Sequence, residues 1–380
     1  MKYIFQPLMD DGSLIKIQDE TGKALEDYGV FGGWVNNIGN IALTEGYKIK
    51  VNRDCMLSYT GTPAFMPFQI PLKAGWNIMG YPQITEADGK AVVQQLISRG
   101  TLIKVQDEAG RSIEDFGVFG GWKNNIGNFK PGEGYKVKVT ANEMLTIYPS
   151  YPKSAAVPET AGVPLHFQPV VKGNGVDHMN INLVNIPVGF AEPGDEIAVF
   201  DGNLCVGGVA ISNPQSTIRH PPSSIRHLSI PVTANDGAGE PGFTGGNLFT
   251  LKLWKASEDK EYLLEPEIIK GTPAFQKHES TFASLEKYAT TGMRDKMIPG
   301  EMRIRIYPNP SHGKVFISPG ILSPEGIQVQ VINSSGQIIV DKYIETDPGV
   351  VDLSGNVEGI YYIRMTTDYG TKTEKVVLRK

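Results

Sequence analysis

The sequence is defined first by what it has little of. Its 380 residues hold only two cysteines, Cys55 and Cys205. They fall in stretches that read as different domains, so a disulfide framework is not expected. Charge of neither sign prevails: 36 basic and 41 acidic residues leave a net charge of −5. A nucleic-acid role, which needs a basic face, is excluded on that ground. No apolar run reaches the roughly 18 residues of a membrane-spanning helix. The first residues show no apolar core or small-residue cleavage site of a secretory signal. Also missing are a Gly-x-Ser-x-Gly elbow, a His-Glu-x-x-His helix, a phosphate loop and a dinucleotide fingerprint. Such absences weigh little, since glycosidases carry no short signature; catalysis is not expected because the modules read as too small for a familiar catalytic fold with its cleft.

Turns, by contrast, are plentiful, with 43 glycines and 26 prolines. The expected class is mainly β and multidomain: two small α+β repeat modules, a β-sandwich middle domain and a C-terminal immunoglobulin-like β-sandwich. The boundaries read as 1–60 and 70–150 for the modules, 151–164 for a linker, 165–288 for the middle domain, 289–301 for a second linker and 302–380 for the last domain.

The repeat is direct. Residues 14–51 read LIKIQDETGKALEDYGVFGGWVNNIGNIALTEGYKIKV, and residues 102–139 read LIKVQDEAGRSIEDFGVFGGWKNNIGNFKPGEGYKVKV. The two align without a gap, and roughly two-thirds of the positions are identical. In the second copy, Gly75 to Pro82 reads as a strand and turn. Residues 85–98 read as a helix with Val92, Val93, Leu96 and Ile97 on one face. Gly100 ends it. Strands follow at residues 102–106, 135–139 and 144–148. The same register puts Phe5, Leu8 and Met9 on the helix of the first copy. That copy has no counterpart of the opening strand, so the chain is expected to be the tail of a longer protein.

Trp34 and Trp122 stand at equivalent places, after two glycines and before Asn-Asn. An aromatic on a glycine loop can stack on a sugar ring while asparagines bond its hydroxyls. The simpler reading is that each tryptophan plugs its own core. The acidic pairs Glu26-Asp27 and Glu114-Asp115 read as solvated turns.

In the middle domain, residues 179–183 and 248–254 alternate. Residues 194–202 and 204–210 read as a hairpin through Asp201-Gly202-Asn203. Trp254 is a third candidate for stacking on a sugar. Asp195, Asp201 and Asp236 are weak candidates for a structural calcium, because their spacing is that of no known calcium loop. No other cofactor is expected. The duplicated Ile-Arg-His words at 218–220 and 225–227 read as a variable loop.

The last stretch alternates in short strands that suggest a small sandwich. Its particular words are Tyr307-Pro308-Asn309-Pro310, then Gly313, Gly336, Gly359-Ile360-Tyr361, and finally Lys375 to Arg379 and Lys380. In that order they resemble the type A C-terminal sorting domain of the Bacteroidetes type IX secretion system. The resemblance implies export through the periplasm to the cell surface or beyond. It implies the secretion machinery and its sortase-like peptidase as partners, removal of the domain within residues 290–301, and attachment to surface lipopolysaccharide. The words GWNxxGYP and GxGYKVKV resemble repeats of secreted Bacteroidetes surface proteins, and GDEIAVFDGNLCVGG resembles a β-rich module of such proteins. The expected function is that of a non-catalytic surface tail with adhesive or spacer modules, binding glycans or other surface proteins. The alternatives are an accessory region of a secreted peptidase or glycosidase, or a carbohydrate-binding module.

Overall fold

The computed structural model describes residues 1–153, 162–171, 173–187, 189–211, 227–237, 239–288, 298–299, 305–318, 327–345, 348–367 and 370–379. Most of the proposed cleavage linker, most of the duplicated Ile-Arg-His loop and Lys380 lie outside them; of the linker only Ile298–Pro299 is described, as a short strand. Strands dominate, with two α-helices among the described residues. No helix there is long and apolar enough to cross a membrane. Contacts divide the chain into two compact units, Met1–Thr160 with Gly173–Asn180, and Ala161–Lys172 with Ile181–Lys380.

The first unit contains both copies of the repeat. Copy 1 has helix α1 (Lys2–Asp10) and an antiparallel sheet in the order Trp34–Asn36, Ala24–Asp27, Leu14–Gln18, Lys48–Val51. Phe5 and Leu8 of α1 pack with Leu14, Ile17 and Leu25. Copy 2 has helix α2 (Gly89–Ser98) and the same four strands, with a fifth, Gly75–Gly80, added beside Gly134–Val139. Its core gathers Val92, Val93 and Leu96 from the helix and Val105, Ile113 and Val137 from the sheet. A ribbon of Phe68–Leu72 and Glu143–Ile147 adds Ile70, Leu72, Leu145 and Ile147 to that core.

Three local expectations are corrected. The helix of copy 2 begins at Gly89, because the Asp88 carboxylate accepts from the amides of Lys90 and Ala91 and caps it there. Ala87–Asp88, expected within the helix, instead pairs with Asn128–Phe129 as a short strand. The acidic pairs are not solvated turns. They end the strands Ala24–Asp27 and Ser112–Asp115, and Glu114 is buried.

In the second unit, one sheet runs His227–Thr233, His178–Val184 (of which residues 181–184 belong to this unit), Ser280–Ser284, Glu267–Lys270. The other runs Leu204–Ala210, Glu196–Asp201, Phe249–Lys255, Lys260–Leu264, Ile298–Pro299. The hairpin closes at Asp201↔Leu204, as the Asp-Gly turn directs. Phe249, Leu251 and Leu253 share a buried face, as their alternation predicts. The terminal domain is a sandwich of three strands (Arg305–Tyr307, Lys314–Ser318, Gly349–Asp352) and four (Ile338–Ile344, Ile327–Asn333, Gly359–Thr367, Gly370–Leu378). Val315, Ile317 and Val351 of the first sheet meet Val329, Val331, Ile363 and Val376 of the second in one core.

Candidate functional sites

In the terminal sandwich, the first and last words of the sequence pattern meet. Strand Gly370–Leu378 is the outermost strand of its sheet, and an exposed strand edge offers unpaired backbone groups. Asn309 covers part of that edge with its side chain. Its Nδ2 donates to the Lys375 carbonyl at 2.7 Å, and its Oδ1 accepts from the Val377 amide at 3.0 Å. A carboxamide with one donor and one acceptor thus imitates a strand residue. Ser311 continues the contact through its backbone: its amide donates to Val377, and its carbonyl accepts from Arg379, both at 2.8 Å. Pro308 and Pro310 bracket Asn309 and leave the pairing to side chain and neighbour, since neither has an N–H.

The remaining motif residues shape the same domain. Gly313 sits at φ +138°, with its carbonyl accepting from Leu353, and a Cβ there would lie 3.1 Å from Ser354. Gly336 takes φ +83° in the turn closed by Asn333, and Gly359 opens the strand Gly359–Thr367. Tyr361 is buried, and its hydroxyl donates to the Val357 carbonyl at 2.6 Å. Tyr307, Asn309 and Lys375 also line a cleft of about 630 Å³ together with Glu374, Ile306, Gly246 and Leu248.

The glycine loops of the two copies share their turn bonds, and Asn124 adds one to Asp88. Asp27 and Asp115 each accept from the amide two residues on, at 2.8 and 2.9 Å, and so fix the 3-10 turns Gly29–Phe31 and Gly117–Phe119. Asn36 and Asn124 each donate to the carbonyl of Gly39 or Gly127 at 2.9 Å and accept from two amides. These carboxamides are therefore occupied within their own turns. Trp34 and Trp122 are half-buried against the cores of their own copies. Equivalent lysines on the two helices, Lys2 and Lys90, donate to the carbonyls of Trp34 and Trp122.

What stands clear of each loop is a different residue. Val30 is 95% exposed, Phe31 90% and Val118 93%. Sequence reasoning passed over this Val-Phe word in favour of the tryptophan. The signal was present, since an apolar pair between glycines recurs unchanged in both copies.

Trp254 is half-buried on the middle domain. One face stacks on His166, ring centroids 4.4 Å apart, and its Nε1 donates to Asp259. His166 also pairs with Glu261, which accepts from Lys252 as well. Burial alone would raise the Glu261 carboxyl, but these hydrogen bonds bring it below its ordinary value.

The oxygens of the calcium candidates are engaged by the protein. Asp195 is buried, pairs with Lys255 at 2.9 Å and accepts from the amides of Glu192 and Ala256. Asp201 accepts from Thr244 and Asn247, and Asp236 from Glu240. Asp195 and Asp201 thus serve as loop braces in this structure. Among the described residues no group of three or more metal-ligating side chains converges. Cys55 is exposed and Cys205 buried, both unbridged, and burial raises the Cys205 thiol to about 11.

Comparison with known proteins bears on the end of the chain. Residues 305–379 match the family model of the secretion system C-terminal sorting domain. No curated protein matches the chain. Among solved structures, the BSP domain of a biofilm-associated protein aligns with TM-score 0.19 at 9% identity, over 54% of this chain and 29% of that one. The 47-kilodalton lipoprotein Tp47 of Treponema pallidum aligns with TM-score 0.16 at 9% identity, over 78% of this chain and 91% of that one. The amphioxus IgVJ-C2 molecule aligns with TM-score 0.15 at 10% identity, over 51% and 94%. Likeness this distant carries no argument about fold or function.

Proposed function

Since the chain is a type IX secretion cargo whose sorting domain spans residues 305–379 and directs it to the cell surface or the extracellular space, we propose that the modules ahead of that domain act there without catalysis, as adhesive and spacing elements. The observation that carries this reading is the pair of matched glycine loops. Each holds a valine out in water on a 3-10 turn, with Val30 and Val118 more than nine-tenths exposed, and copy 1 adds Phe31, whereas Phe119 is half-buried. Exposed apolar groups presented together mark contact surfaces. In this reading the sortase-like peptidase removes the terminal domain within residues 290–301, and surface lipopolysaccharide holds the mature chain.

A carbohydrate-binding role finds less support. Trp34 and Trp122 pack on their own cores, the carboxamides of Asn36 and Asn124 are engaged, and Trp254 has one face on His166. An accessory role beside a secreted peptidase or glycosidase is the alternative function. The test is retention of the purified chain on whole cells of the producing bacterium, compared with a Val30→Ser, Phe31→Ser, Val118→Ser variant. Retention should fall at least about tenfold, which is roughly 1.4 kcal/mol of binding. Equal retention of both proteins overturns the adhesive reading.

A further inference from the structure

Both copies carry one polar sheet face, and the two faces differ in what covers them. In copy 2 the face comprises Lys104, Gln106, Ser112, Glu114 and Lys136. The first four are at most 7% exposed. Polar groups buried at this depth call for partners; the segment Gly173–Asn180, which belongs to the same compact unit, supplies several, although Gln106 Oε1 and Ser112 Oγ accept no hydrogen bond among the described residues. Gln106 Nε2 donates to Asn180 Oδ1 at 3.0 Å, and Asn180 Nδ2 donates to the Gly110 carbonyl at 2.8 Å. Lys136 Nζ donates to the Val176 carbonyl at 2.9 Å and pairs with Asp177 at 3.1 Å. A Cβ on Gly110 would lie 2.6 Å from the His178 ring, so the glycine is what lets the segment lie this close.

Copy 1 repeats the face with Lys16, Gln18, Ala24, Glu26 and Lys48, and repeats the turn glycine as Gly22. Here the surface faces water. The side chains of Lys16 and Glu26 are 34% and 42% exposed and pair with each other at 3.3 Å. Gln18 Nε2 donates to the Gly22 carbonyl at 3.1 Å, as Gln106 does to Gly110 at 3.4 Å, so the carboxamide is held in the same pose. Where a Cβ on Gly22 would stand, the nearest atom is that same carboxamide at 3.8 Å, and the space that His178 fills beside Gly110 is open.

We propose that this face of copy 1 is a docking site for an extended peptide segment with the chemistry of Gly173–Asn180: a carboxylate followed, three residues on, by a carboxamide. The carboxylate meets Lys16 and Lys48. The carboxamide bridges Gln18 and the Gly22 carbonyl, as Asn180 bridges Gln106 and Gly110. The segment comes from a separate polypeptide, because this chain's own Asn180 is engaged on copy 2. Lys48 already reaches Asp177 at 3.1 Å, so the covered face and the open one adjoin at a shared carboxylate. Copy 2 is the precedent for both the occupant and its pose. The inference goes beyond the adhesive reading and does not depend on it, since it concerns the sheet face and not the apolar loops.

The test is titration of a labelled peptide of residues 173–182 into the purified full chain. Saturable one-to-one binding is expected. It should weaken at least about tenfold when the peptide carries Asn180→Ala. It should weaken as much when the chain carries Ala24→Arg, a substitution on the half-exposed face that leaves thermal melting unchanged. Absence of saturation up to about 1 mM overturns the proposal. So does binding that survives Ala24→Arg, because the peptide would then have exchanged with the chain's own segment on copy 2.

Discussion

Ile49 in copy 1 and Val137 in copy 2 hold the same place in the same strand, yet Ile49 is 47% exposed and Val137 fully buried. The local structure around them is shared: the same helix, four strands, 3-10 turn and asparagine-braced loop. The difference lies in what packs against the sheet. Copy 2 has the added strand Gly75–Gly80 and the ribbon of Phe68–Leu72 with Glu143–Ile147. At the positions of copy 1 that match the ribbon's second strand, Leu57 is half-buried and Tyr59 is 70% exposed, whereas Leu145 and Ile147 are fully buried. Local sequence sets conformation, and long-range pairing sets burial. A repeat can therefore keep its shape while its surfaces acquire different roles.

Core truncation should show the largest asymmetry. Leu145→Ala should destabilise the chain by about 2–5 kcal/mol, whereas Leu57→Ala, at the matching half-buried position, should cost about 1 kcal/mol or less. Chemical denaturation of both variants checks this, and equal losses would break the comparison.

The lysines of the polar faces give a second contrast, in pH. Lys136 is largely withdrawn from water, its side chain 14% exposed, and this desolvation, with Lys48 nearby, lowers its ammonium to about 8 despite Asp177. Its unfolded value is near 10.5, so the unfolded state binds more protons between those two values. Stability should therefore rise with pH from about 8 to 10.5 relative to Lys136→Met, by no more than about 3 kcal/mol. A flat difference across that window would show that Lys136 is well hydrated. The smallest effect belongs to the open face. Breaking the exposed Lys16–Glu26 pair with Glu26→Gln should change stability by less than about 1 kcal/mol, as thermal melting of the variant would register.

How far the sequence foretold this divides along the same line. The strands Leu204–Ala210 and Phe249–Lys255 were legible from alternation and an Asp-Gly turn, and the ordered words at the C-terminus identified the sorting domain. The start of α2 was misplaced because the capping role of Asp88 and the short pairing of Ala87–Asp88 outweigh helical periodicity. Glu114 read as solvated because the segment that closes over its face lies some sixty residues downstream, and no local pattern reports it. In the sorting domain, Asn309 was legible as a motif residue. That its side chain completes the edge of the last strand required coordinates.

The most direct measurement is fractionation of producing cells that express either the intact chain or one lacking residues 305–379. The intact protein is expected on the cell surface or in the medium, and the shortened one in the periplasm. Surface display of the shortened chain at the level of the intact one would contradict the assignment of export to the terminal sandwich.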